Sequence, residues 1–150
     1  MVNPHSPTPR AGAAGDWSAM GDWLADAVTT MPPGAVLDIG PLGSDVSDDA
    51  DVDVPCAQIQ VLRDRTVLVR LSTTIMRAPG VAIYSVPRAA LDRWNYEDRF
   101  ADCTHGYLAT RSAHTVAGIC VGWFRDRQGM ASPDELGCSY VTPTELREAG

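Results

Sequence analysis

An α+β fold is expected: an antiparallel sheet of about four to five strands, an N-terminal amphipathic helix and one or two further helices. Three observations predict it. Two runs of alternating apolar residues meet at a polar turn between Cys56 and Thr74. A helical apolar stripe follows Asp16 and halts at Pro32-Pro33-Gly34. The chain has 150 residues, 45% hydrophobic and 21% charged, globular values for a chain able to bury about two-thirds of its unfolded surface.

Residues 1–14 are rich in Pro, Ala, Gly and Ser without apolar periodicity, and read as a disordered tail before a single domain over residues 15–150. Asp16 is placed to cap a helix on which Trp17, Met20, Leu24, Val28 and Met31 recur at three- and four-residue steps. Residues Ala35 to Ile39 make the first strand. Asp49, Asp51 and Asp53 are spaced like the start of a calcium loop, but the turn glycine would fall at Val54 and the bidentate glutamate at Gln60. An acidic connecting loop is the better reading.

The central hairpin follows. Ala57, Ile59 and Val61 share one face, as do Val67, Val69 and Leu71. Directly opposed residues share a face, so Ile59 must oppose Val69 and Val61 must oppose Val67. That register demands an odd loop, three or five residues long, around Arg63-Asp64-Arg65, and excludes a two-residue turn. Gln58, Gln60, Leu68 and Arg70 are the residues that alternate with these sets. A strand at Val81–Tyr84 and a helix from Ser85 and Pro87 to Phe100 come next. Ala101 to Arg111 carries no firm pattern. Val116 to Phe124 suits either a buried strand or a helix capped near Ser112 or Thr115, with Gly118 and Gly122 weakening the helix. Thr142-Pro143-Thr144-Glu145 is a capping box that opens a last short helix.

The formal net charge is −7 and the pI is near 4.7. A sequence-independent nucleic-acid binder needs a basic surface to release counterions, and an anionic membrane asks for the same surplus. Neither partner is expected. No signal-peptide run opens the chain and no apolar stretch reaches membrane-spanning length, so a cytoplasmic protein with reduced thiols is the expectation. Arg63, Arg65 and Arg70 cluster on the hairpin as a candidate basic patch for a partner, or simply as a solvated face.

Cys103, His105, His114 and Cys120 are the residue types of a zinc site. Their spacing, C-x-H and then H-x₅-C, lacks the tight C-x-x-C knuckle, so structural cysteines beside incidental histidines are the simpler reading. Cys103 with His105 and Asp102 has the residue types of a thiol nucleophile, yet i and i+2 side chains do not meet on a helix or strand. Glu97, Asp98 and Asp102 read as an acidic helix end. No phosphate loop, nucleophile elbow or H-E-x-x-H motif is present, and no cofactor is implied. Four tryptophans give large apolar area, and Trp94 or Trp123, if not needed inside, would anchor a partner.

The order of a Trp-bearing helix with WLADAVTTMPPG, a strand AVLDI and the hairpin AQIQVLRDRTVLVRLS, over residues 17–72, resembles the small actinobacterial domains related to YbjN and to type III secretion chaperones (TY-Chap domains). Val121-Gly122-Trp123 resembles the Gly-Trp element of their second half. The resemblance implies a helix-flanked antiparallel sheet that holds a peptide or protein partner, often as a homodimer, and brings no catalytic residues. A non-enzymatic chaperone-like module, binding on a sheet face or in a helix–sheet groove, is therefore the first functional expectation. A small Cys/His-dependent enzyme or zinc protein and an acidic immunity or accessory protein are the alternatives.

Overall fold

The computed structural model describes residues 16–41, 54–74, 76, 88–96 and 104–141. Helix α1 (Trp17–Thr30) begins where the Asp16 carboxylate accepts the Ser18 amide at 2.8 Å, satisfying one of the donors a helix N-terminus leaves over. It buries Met20, Leu24 and Val28, the predicted stripe. Strands β1 (Val36–Pro41), β2 (Cys56–Val61) and β3 (Val67–Ser72) follow. Strand β4 (Tyr107–Thr110), helix α2 (Ala113–Val121) and strand β5 (Leu136–Val141) complete the described elements.

These form one five-stranded sheet in the order β4-β3-β2-β1-β5, antiparallel throughout. The fold class is thus the expected α+β. The hairpin register is the predicted one: Ile59 opposes Val69 and Val61 opposes Val67. Leu62 donates to the Thr66 carbonyl at 2.7 Å and closes a three-residue loop, in which Arg65 takes the left-handed conformation at φ 71°. One sheet face, with Leu37, Ile39, Ala57, Ile59, Val61, Val67, Val69 and Leu71, joins α1 and α2 in the core.

One open reading is resolved and two expectations change. Val116 to Phe124 is helical: Ser112 accepts the Thr115 amide at 3.1 Å, and α2 passes without a break into a wider π-type turn, Gly122–Arg127. Burial of Val116, Ala117, Cys120 and Val121 outweighs the cost of the two glycines. The helix expected over 85–100 is absent from the described part, residues 88–96. A single 3₁₀ turn, Arg88–Ala90, ends at Asp92 (φ 60°), whose amide donates to the Ala109 carbonyl at 2.7 Å. The third concerns the arginines of the hairpin: Arg70, read with Arg63 and Arg65 as part of a solvated face, is buried together with Gln58 and Gln60. Residues 1–15, the acidic loop, Val81–Tyr84, residues 97–103 and the capping box at 142–145 lie outside the described residues.

Candidate functional site

On the sheet face away from the core, register lines up one row across all five strands. Ser139 of β5 opposes Asp38 of β1, Asp38 opposes Gln58 of β2, Gln58 opposes Arg70 of β3, and Arg70 opposes Tyr107 of β4. Gln58 bridges its neighbours. Its Nε2 donates to Asp38 Oδ1 at 3.0 Å, and its Oε1 accepts from Arg70 Nη1 at 2.5 Å. A row of this kind is costly to bury unless its polar atoms are paired. At the β3 end it is buried with Arg70, while at the β5 end Asp38 is half-buried and Ser139 exposed. Burial pushes the Asp38 carboxyl up to about 6, with the Gln58 bond and the Arg70 charge opposing the rise. The row therefore runs from a paired interior to an open margin.

The two sheet edges differ in the same sense. Along β4, Asn95 and Tyr107 exchange backbone hydrogen bonds at 2.9 and 3.0 Å, and Asp92 bonds Ala109. Trp94 and Tyr96 flank Asn95 and stack with ring centroids 6.3 Å apart. They are 37% and 75% exposed. Gly106 (φ 97°) makes room for this arrangement, since a Cβ there would meet Asn95 O and the Tyr96 ring at 3.0 Å. Along β5, by contrast, among the described residues no hydrogen bond leaves 137–141 on the side away from β1. Strand β5 carries no charged side chain, and Tyr140 is 46% exposed. Charges, prolines and bulges are the usual protections of an edge, and β5 has none of them.

The predicted site residues are dispersed. Arg63 is exposed on the turn, while the Arg65 guanidinium donates to Met31 O at 2.6 Å and Thr29 O at 3.0 Å, capping the C-terminus of α1. Arg70 belongs to the buried row, so the three arginines form no common patch. Trp123 is 1% exposed, with the His105 ring 5.1 Å away and the Arg127 guanidinium 5.3 Å from its ring centre, and is a core residue. Trp94 is the candidate tryptophan left at the surface. Cys103 lies outside the described residues. His105 Nδ1 lies 2.7 Å from Thr104 Oγ1, and Cys120 is fully buried with its thiol pushed up to about 12. His114 instead borders a shallow groove of about 360 Å³ between α1 and α2, together with Trp17, Gly21, Asp22, Gly118 and Arg125. Among the described residues no three His, Cys, Asp or Glu side chains gather in a metal-binding group, and no helix is long and apolar enough to cross a membrane.

Sequence reasoning missed β5 and Asp38. The signal for Asp38 was present: its place beside the hairpin's Gln58 and Arg70 follows once β1 is paired to β2. A family model described as T3SS (YopN, CesT) and YbjN peptide-binding chaperone 3 matches residues 10–141. Comparison with curated proteins and with solved structures gave no match.

Proposed function

We propose that this chain, which belongs to the family of T3SS (YopN, CesT) and YbjN peptide-binding chaperones, holds an extended segment of a partner protein as a sixth strand along β5. The observation that carries this reading is the uncharged outer edge of residues 137–141, which makes no outward hydrogen bond among the described residues. A strand added there gains main-chain hydrogen bonds whatever its sequence, which suits a chaperone-like role. The net charge of −7 draws basic segments toward it by long-range attraction. No catalytic step is part of this reading.

The test uses twelve-residue host peptides of alternating threonine and valine, N-methylated at every second residue along one edge or the other. Strand addition requires that methylation of the edge facing β5 abolish binding and that methylation of the outer edge spare it. Equal tolerance of both would exclude backbone pairing.

A second reading has its own support. The exposed Trp94–Tyr96 stack could hold a partner by side-chain contact, because the backbone of β4 is already engaged. The variant Trp94→Ala separates the two: a lost partner favours the aromatic pair, and undiminished binding favours β5.

A further inference from the structure

We infer that Asp38 selects an arginine or lysine in the bound segment, at the one position lying opposite Ser139. The inference rests on the reading of β5 as the binding edge and says which side chain that edge prefers. Register carries it. Ser139 and Asp38 are direct partners on the face away from the core, so a residue paired to Ser139 would extend the same row. It would stand two strand spacings, about 10 Å, from Asp38. A long cationic side chain spans that gap once its path is clear.

The path is clear. Ser139 is small and exposed, and of the two adjoining rows on that face one, Gly40 opposite Gly137, has no side chains, while the other is Val36 opposite Val141. The receiving group is also ready. Asp38 Oδ1 accepts from Gln58, whereas Oδ2 carries no hydrogen bond among the described residues, and the side chain is half-buried rather than sealed. Arg70, the cation on the far side, donates to Gln58 Oε1. Burial already makes the Asp38 charge costly, so a second cation relieves a strain the free protein carries. A guanidinium or ammonium here gains a charge-assisted bond in a partly buried place. A glutamine of similar length gains less, and a glutamate is repelled.

The experiment measures the affinity of the intact chain for threonine–valine host peptides carrying Arg, Lys, Gln or Glu at each position in turn. One position is expected to prefer Arg or Lys over Gln by about tenfold, as one added charge-assisted bond gives. Asp38→Asn brings that ratio to near one. Ser139→Leu, which obstructs the path on the outer face, lowers it too. An identical Arg-to-Gln ratio in wild type and Asp38→Asn overturns the inference while leaving strand addition intact. Equal cationic preference at every position overturns it as well, since that is long-range attraction only. If no host peptide binds along β5, the edge reading itself fails and takes this inference with it.

Discussion

The two margins of this sheet follow opposite rules. Strand β4 is short and buried, and its outer side is occupied by the chain's own residues 92–95. Strand β5 is partly exposed, lacks charge and makes no hydrogen bond outward among the described residues. An unprotected edge is a standing hazard for unwanted pairing. One margin is closed with a 3₁₀ turn, a left-handed Asp92 and a glycine at 106, while the other makes no outward hydrogen bond among the described residues, and on this contrast the proposal of β5 as the binding edge rests. The polar row repeats the contrast, with Arg70 sealed at one end and Ser139 open at the other.

Substitutions along that row give the largest effects. Arg70→Met leaves the Gln58 amide and the Asp38 carboxylate without their buried cation, and should cost about 4 kcal/mol by denaturant unfolding. A cost below about 1 kcal/mol would mean that the closed end is not held by this network. Asp38 comes next and acts with pH. Its folded pKa of about 6 lies above the ordinary 3.8, so folding favours the neutral carboxyl. That contribution is full below pH 3.8 and is lost as pH rises through about 6. The charge facing it is that of Arg70, while Cys56 and Cys138, which also feel Asp38, have thiols pushed up to about 11 and about 12 and do not titrate in this window. Asp38→Asn should therefore be more stable than the parent at pH 7, by up to about 3 kcal/mol, and no more stable at pH 4. A stability difference that ignores pH would contradict this assignment.

The edges themselves give smaller effects. Gly106→Ala strains a backbone at φ 97° and drives Asn95 and Tyr96 away, at about 2 kcal/mol. Amide exchange should then quicken at Asn95 and Tyr107 but not at residues 137–141. Quickening at both margins would show that they are not independent. Ser139→Lys places a charge on the open edge and should change stability by less than about 0.5 kcal/mol. Its effect should appear in binding, as a tenfold or greater loss of affinity for host peptides with arginine opposite it, read by fluorescence anisotropy.

What could be read beforehand divides along the same line. Helix α1 was legible because Asp16, the Met20–Leu24–Val28 spacing and Pro32 all agree. The register of β2 on β3 was legible because one face is wholly apolar, and a slip by one residue would expose it. Strand β4 was missed for the opposite reason: Tyr107–Thr110 is short and buried on both faces, so it shows no alternation. Strand β5, LGCSYV, is an edge with half-exposed residues and little apolar patterning. Leu91 and Trp94 imitate a helical face after Pro87, but their segment turns at Asp92 to bond the sheet. Gln58, Gln60 and Arg70 alternate with apolar neighbours as an exposed face does, and polarity alone does not reveal that such a face is covered. The family was legible from residues 17–72 and is borne out by the family match over residues 10–141. The candidate edge was not, because its significance lies in what its neighbours leave unpaired.

Backbone amide exchange, followed residue by residue with and without saturating host peptide, tests the central claim most directly. Strand addition predicts slowed exchange at alternate residues of 137–141, whose outward amides acquire partners, and unchanged exchange at Tyr107 to Thr110. Protection appearing at residues 94–110 or on the two helices, with β5 unaffected, would contradict it.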